Sequence, residues 1–385
     1  MPKTFTLTLI SNRARARNGH PWVYANEVKA PLPPECNGGT VNLVDERGRN
    51  LGSGIYNGHS QILWRRISNE ADVPMDASFL RQAVTAALAR RTAETAQRLV
   101  WSEADNLPGL VVDRYGTTLC AQCLTLAMDK AIPTLAPLLI ELTGAKEIVW
   151  RNDAPSREHE GLPLEQRTHT GKPLAPFAVN IGGLDYTVDL VGGHKTGFYL
   201  DQREQHPIVA TYAKGRKVLD AFCNQGAFAL HCAKAGATSA LGLDITADCI
   251  TLATANAKRN KLDATFREQN VFDYFTENRE DRYGLIILDP PSFARNQKSV
   301  DNALRGYKEL HLRALQRLEP GGILATYCCS QHVSRDFFQA TLSEAAADAK
   351  RTVRILRYCS QPLDHPVVVT IPETEYLKGM IVQAE

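Results

Sequence analysis

Apolar positions change their spacing along this chain, and each change predicts a different kind of structure. Through residues 1–70 they fall in short alternating runs, at 5–10, 39–44, 52–56 and 61–67, separated by Gly, Pro and Asn. Alternation with a period of two, bounded by turn residues, predicts a small β-rich domain. From about Asp76 to Val100 the spacing of Phe79, Leu80, Val84, Ala87, Leu88 and Leu99, with arginines between, predicts an amphipathic helix. Strand patterns return at 109–112 and 118–125, followed by a Pro-interrupted apolar helix over 129–143 and further strands at 147–151 and 186–191. Residues 71–185 therefore read as a mixed α/β middle domain, and 186–385 as a third domain.

In that third domain the pattern becomes a strict strand–helix alternation. Strands are expected at 217–222, 240–245, 264–271, 285–289 and 322–328, and helices at 227–235, 247–260, 301–318 and 335–350. Such alternation predicts a parallel sheet covered on both faces, a Rossmann-like α/β fold. The terminal runs at 352–358 and 376–382 predict an antiparallel hairpin at one sheet edge.

Composition narrows the class without naming a function. A chain of 385 residues with 44% hydrophobic and 22% charged residues is neither disordered nor fibrous. No apolar stretch approaches the length of a membrane span, and the first residues lack a signal-peptide core, so a cytoplasmic protein without membrane contact is expected. Nine cysteines, an odd number, suit reduced thiols better than a disulfide framework. The net charge of +2 is small but unevenly placed: residues 1–98 hold 13 Lys+Arg against 8 Asp+Glu. A polyanion would meet mainly the N-terminal part.

Candidate chemistry gathers at the carboxyl ends of the predicted parallel strands, where ligands bind in such folds. The first strand leads into Asp220-Ala221-Phe222-Cys223-Asn224-Gln225-Gly226, a turn feeding a helix. Only Gly226 of a dinucleotide fingerprint is present, so NAD and FAD are disfavoured. The carboxylate of Asp220 suits a cationic amino-acid moiety such as that of S-adenosylmethionine (SAM). Asp244, 24 residues on, can take two ribose hydroxyls, and Asn270 can meet an adenine edge. Each could equally cap the following helix. Phe222, Asn224 and Gly226 complete the candidate cofactor turn.

The fourth strand ends in Asp289-Pro290-Pro291-Ser292-Phe293. Two prolines remove backbone donors and stiffen the loop, leaving carbonyls and the Asp289 carboxylate to hold a planar base carrying an amino group, with Phe293 as a stacking partner. The fifth ends in Cys328-Cys329-Ser330, and only one cysteine of the pair can face the crevice, because strand side chains alternate.

These segments resemble the ribosomal RNA large-subunit methyltransferase I family, class I SAM-dependent enzymes that form 5-methylcytidine in 23S rRNA. The likeness runs through Gly19-His20-Pro21-Trp22-Val23-Tyr24 in a PUA-type RNA-binding domain, Arg151-Asn152-Asp153-Ala154-Pro155, Lys195 to Arg203, the turn at Asp220, the Asp-Pro-Pro-Ser-Phe loop, the cysteine strand end and Asp364-His365-Pro366. The family's Ser-Cys-Ser lies over Cys328-Cys329-Ser330, which implies Cys329 as nucleophile, with Asp289 a candidate from its position to hold the base. The same resemblance implies SAM as cofactor, Tyr199 and Gln202 near its methionine end, 23S rRNA as partner and a homodimer. Relatives with two catalytic cysteines carry Asp-x-Pro-Cys where this chain has Ser292, so a second catalytic cysteine is not expected, and the group that removes the ring proton stays open. Two alternatives remain: methylation of a base nitrogen using the Asp289 loop, and an RNA-binding assembly factor without catalysis.

Cys120-Ala121-Gln122-Cys123 has no second pair at zinc spacing and reads as packing. Arg13, Arg15, Arg17, Arg65 and Arg66 are candidates for phosphate contacts, which position RNA without reading its sequence.

Overall fold

The computed structural model describes residues 5–193, 197–294 and 297–385. The chain divides into two compact units. One runs through Val179 and adds Val188–Leu200 and Leu363–Thr374; the other holds Asn180–Thr187, Asp201–Pro362 and Glu375–Glu385.

The first unit contains two five-stranded sheets. Strands β1 (Phe5–Leu9), β2 (Trp22–Val23), β3 (Thr40–Asp45), β4 (Asn50–Tyr56) and β5 (Trp64–Ser68) pair in the order β1-β3-β4-β5-β2. Their inward residues Leu7, Leu9, Val41, Leu43, Tyr56 and Trp64 build one core. Helix α1 (Ala77–Ala89) opens with Asp76, whose carboxylate accepts the Phe79 N–H at 2.9 Å. The helix expected to reach Val100 stops at Ala89, and Leu99 lies instead in strand β6 (Ala96–Trp101). Helical spacing at Leu99 was coincidental. Strand pairing claims the segment, with Arg98 directly opposite Asp113 of β7 (Leu110–Tyr115) and bound to it through two hydrogen bonds of 2.7 and 2.8 Å. The sheet continues through β8 (Thr118–Cys123), β9 (Glu147–Asn152) and β10 (Glu165–Thr168), in the order β10-β9-β8-β7-β6. Helices α2 (Leu126–Lys130) and α3 (Ile132–Thr143) pack with α1 on its core. A two-stranded hairpin of β11 (Phe177–Ile181) and β12 (Leu184–Val188) follows.

The second unit is the expected Rossmann-like sheet. After α4 (Gln205–Ala210) come β13 (Lys217–Asp220), α5 (Ala227–Lys234), β14 (Ser239–Asp244), α6 (Ala247–Asn260), β15 (Thr265–Glu268), α7 (Val271–Glu277), β16 (Tyr283–Leu288), α8 (Val300–Arg317), β17 (Leu318–Cys328), α9 (Arg335–Asp348), β18 (Val353–Ser360) and β19 (Lys378–Ala384). The order is β15-β14-β13-β16-β17-β19-β18, parallel through β17. The two last strands do form an antiparallel pair at the edge, with β19 inserted antiparallel beside β17. Two elements were not foreseen. Helix α7 begins inside the run read as strand, and α4 has only six residues, too few for a periodic pattern.

Alternation along the central strands feeds two cores. Ile286, Leu288, Leu324 and Cys328 face α7, α8 and α9, whereas Leu285, Ile287, Ile323, Ala325 and Tyr327 face α4 and α5. The chain moves outward from β13 to β15, then returns to β16 on β13's other side. That reversal falls between β13 and β16, the kind of position where open α/β sheets bind ligands at the strands' carboxyl ends.

Candidate active site

The turn after β13 is fixed from both sides: the Ala221 N–H donates to Ile287 O at 3.0 Å and the Cys223 N–H to Leu243 O at 2.8 Å. Asn224 adopts φ 46° and Gly226 φ 84°. A β-carbon on Gly226 would stand 2.7 Å from the Phe266 ring, so glycine is required both for the left-handed backbone and for the close approach. Gly226→Ala is expected to destabilise the protein by about 2–4 kcal/mol, measured by urea unfolding, through strain and overpacking together.

Asp220 is completely buried at the end of β13. One carboxylate oxygen accepts the Ala229 N–H at 3.1 Å, while Oδ1 is buried with no hydrogen-bond partner. Burial pushes its pKa up to about 8, and the nearby charges of Asp289 and Asp244 push in the same direction. A donorless carboxylate oxygen in the field of two more carboxylates fits a cationic ligand group. The carboxylate of Asp244 accepts the Asn224 N–H at 3.0 Å and the Thr246 N–H at 2.9 Å, which ties the glycine turn to β14. Asn270 caps α7, its Oδ1 accepting the N–H groups of Phe272 at 2.8 Å and Asp273 at 3.4 Å. This is the capping role weighed beside adenine recognition, and it leaves the side-chain amino group for a ligand. Phe222 is half-buried and packs on the core beneath α8 and α9.

The segment before the sheet places its two candidates differently. Tyr199 is 40% exposed and belongs to the first unit. Gln202 is buried in the second, and both heteroatoms of its side-chain amide lack a hydrogen-bond partner. Lys195 and Thr196 of the same motif lie outside the described residues.

At the carboxyl end of β17, Cys328 is fully buried in the α8 and α9 core, whereas Cys329 turns to the other face and is partly accessible. The remaining cysteines, Cys120 and Cys123 included, are buried, and desolvation raises the pKa of both members of that pair far above the ordinary thiol range. The Cys329 thiol donates to Pro290 O at 3.8 Å, so the cysteine strand end and the Asp289 loop meet. Ser292 Oγ lies 2.9 Å from Ser330 Oγ, which in turn lies 3.3 Å from the Tyr307 hydroxyl. Phe293 lies against the Tyr307 ring at 4.9 Å between centroids and beside Gly306. Lys378, which sequence reasoning passed over, is buried with Nζ donating to Ser330 O at 2.8 Å. Its signal was a lone cation in the apolar run Leu377 to Val382.

In the first unit, most of the arginines considered for phosphate contacts are engaged within the protein. Arg15 pairs with Glu373 at 2.6 Å, Arg17 donates to Ser11 O, Arg65 pairs with Glu103 at 2.8 Å and Arg66 donates to Ala16 O, while Arg13 is exposed. His20 and Trp22 of the Gly19 motif are likewise tied down, to Glu373 and Glu103. Asp364 and His365 form a buried pair at 2.9 Å, and Arg151 donates to Leu190 O and Gly193 O.

Residues 11–69 match a PUA-like domain model and residues 164–374 an S-adenosylmethionine-dependent methyltransferase model. The chain is 38% identical over 380 residues to ribosomal RNA large subunit methyltransferase I of Shewanella denitrificans, covering 94% of both chains. It is also 38% identical to the protein of that name from Tolumonas auensis, covering 95% of both. The SMU.776 methyltransferase, solved with SAH, shares the fold with a TM-score of 0.83 at 21% identity, over 99% of this chain and 100% of its own. The unpartnered carboxylate oxygen of Asp220 fits the cationic end of the cofactor that this domain uses. With a PUA-like domain ahead of a SAM-dependent methyltransferase domain, and with relatives this similar along nearly its whole length, the chain belongs to the ribosomal RNA large subunit methyltransferase I family.

Proposed function

We propose that this enzyme methylates carbon 5 of a cytosine in 23S rRNA through a covalent adduct of Cys329. The observation that carries this reading is the partly accessible thiol of Cys329 at the carboxyl end of β17, against the Asp289-Pro290 loop. Carbon 5 of cytosine is a weak nucleophile until a thiolate adds at carbon 6 and turns the ring into an enamine; once carbon 5 has taken the methyl group, loss of its proton to a base breaks the carbon 6–sulfur bond, restores the aromatic ring and frees the Cys329 thiolate. Bound SAM supplies an electrophilic methyl group on a sulfonium centre.

The protein's own residues would do the rest. Asp220 and Gln202 would take the methionine end of the cofactor, Asp244 the ribose and Asn270 the adenine edge, with Phe222, Asn224 and Gly226 shaping the turn. Asp289 would accept a hydrogen bond from the cytosine amino group and so orient carbon 6 toward Cys329 Sγ. Pro290 and Pro291 keep that loop stiff. The PUA-like domain would carry RNA phosphates, with exposed Arg13 available for such a contact. A cytoplasmic homodimer is the assembly in keeping with this role; among the described residues no helix is long and apolar enough to cross a membrane.

The test is transfer of a labelled methyl group from SAM to protein-free 23S rRNA, followed by digestion to nucleosides. Label in 5-methylcytidine is expected. Label on a ring or exocyclic nitrogen would replace this reading with the nitrogen-transfer alternative.

A further inference from the structure

The loop that follows β16 has few hydrogen-bonding groups of its own, because Pro290 and Pro291 bring no backbone N–H. Its attachments are correspondingly few. Among the described residues, every hydrogen bond that ties residues 290–294 to another element ends on Cys329 or Ser330. The Cys329 thiol donates to Pro290 O at 3.8 Å, Ser292 Oγ stands 2.9 Å from Ser330 Oγ, and the Ala294 N–H donates to Ser330 Oγ at 3.4 Å. The remaining bond stays inside the loop, from the Ser292 hydroxyl to Ala294 O at 3.2 Å. That bond fixes the direction of the others. With its proton given to Ala294, Ser292 can only accept from Ser330, so the Ser330 hydroxyl accepts in turn from Tyr307 at 3.3 Å. Burial pushes the Tyr307 pKa up, so this donor keeps its proton. Ser330 thus donates once, to the loop, and accepts twice.

The serine is a firm point to tie to. It is fully buried, and its carbonyl accepts from Lys378 Nζ at 2.8 Å and from the Val333 N–H at 3.2 Å. We infer that Ser330 is a positioning residue for methyl transfer: its hydroxyl latches the Asp289-to-Ala294 loop to the end of β17, one residue beyond Cys329. This rests on the reading above that the Asp289 loop orients the acceptor base. Phe293 also holds the loop, by packing on Tyr307 at 4.9 Å between ring centroids. Packing is non-directional, so the hydroxyl pair is what sets the loop's register against the cysteine strand end. The rate depends steeply on that register, because a misplacement of about 1 Å between reacting groups can cost about 10²-fold.

The test is a double-mutant cycle on single-turnover methyl transfer to 23S rRNA at saturating SAM and RNA, run on the full-length protein well below the melting temperature of each variant. Ser330→Ala removes the latch, and Ser292→Ala removes its loop partner at an exposed position. Transfer is expected to slow about 30-fold in the first and about tenfold in the second, with SAM affinity within about twofold of wild type in both. Because both changes act through one bond, the double variant should match Ser330→Ala, at about 30-fold rather than about 300-fold. A serine that only fills the core would lower the melting temperature and leave these rates unchanged. Folded Ser330→Ala and Ser292→Ala proteins that transfer methyl within about twofold of wild type overturn the inference, as do losses that multiply. If Ser330→Ala does not fold, Ser292→Ala decides alone, and a wild-type rate in it overturns the latch. Failure of the adduct reading is separable, because the rate counts methyl groups on any nucleoside. Coupled losses in an enzyme that methylates a nitrogen leave the latch standing, and 5-methylcytidine formed at unchanged rates in the variants removes the latch alone.

Discussion

Cys329→Ala is expected to lower the rate of 5-methylcytidine formation by about 10⁴-fold or more while leaving SAM affinity within about twofold. The size follows from the role. Alanine cannot add to carbon 6, so the ring never becomes an enamine and the methyl group has no competent acceptor. The neighbouring Cys328→Ala is the contrast: its side chain fills the core between β17 and the α8–α9 face, so its loss should cost about 1–2 kcal/mol of stability and change the rate by less than about threefold. Single-turnover transfer of labelled methyl to 23S rRNA, with nucleoside digestion, separates the possibilities. Equal rates in Cys329→Ala and wild type would remove the adduct mechanism, because a nitrogen acceptor is nucleophilic without a thiolate. A chain that binds RNA but transfers no label in either form would be an assembly factor.

How much of this could be read from sequence depends on the range of the interactions involved. The parallel sheet was legible because each strand buries both faces and each crossing helix buries one, so hydrophobic period alone identifies them; α6 spans Ala247–Asn260, as expected. Strand-end positions followed, and with them Asp220, Asp244, Asp289 and the cysteine pair. What stayed hidden was decided by partners distant in the chain. Leu99 extends a helical stripe on paper, yet Arg98 is held by Asp113 and the segment pairs as a strand. The arginines of the first unit look like a free basic face until Glu103 and Glu373, far along the chain, take up Arg65 and Arg15. Asn270 shows why a residue type underdetermines its role, since the carboxamide read as a possible adenine contact caps α7 through its oxygen.

The burial of Lys378 and the isolation of Asp220 Oδ1 belong to the same class. Both are ionisable groups whose meaning comes from what surrounds them, and a sequence does not state that. Burial disfavours the charged form of each, so the ionised Asp220 carboxylate is unfavourable alone and would be relieved by a cationic ligand.

Asp220→Asn is the second change with a large expected effect, and it acts in opposite directions on stability and binding. In the unfolded chain the carboxyl group titrates near about 3.9; in the folded protein burial raises this to about 8. Below about pH 4 both states hold the proton and Asp220 imposes no penalty. Between there and about pH 8 the unfolded state has released a proton that the folded state keeps, so stability falls as pH rises, by roughly 5–6 kcal/mol in total. Asparagine cannot titrate. Without cofactor, the Asp220→Asn protein should therefore lose less stability than wild type between pH 5 and 8, and at pH 8 it should melt about 5–10 °C higher. A cationic ligand reverses the preference, because it needs the ionised carboxylate. SAM should bind the variant about 10²-fold more weakly, and its binding to wild type near pH 7 should release a proton, visible by calorimetry in buffers of different ionisation enthalpy. Parallel melting curves from pH 5 to 8, or unchanged SAM affinity in the variant, would show that the lone carboxylate oxygen of Asp220 is not where the cofactor's positive charge is received.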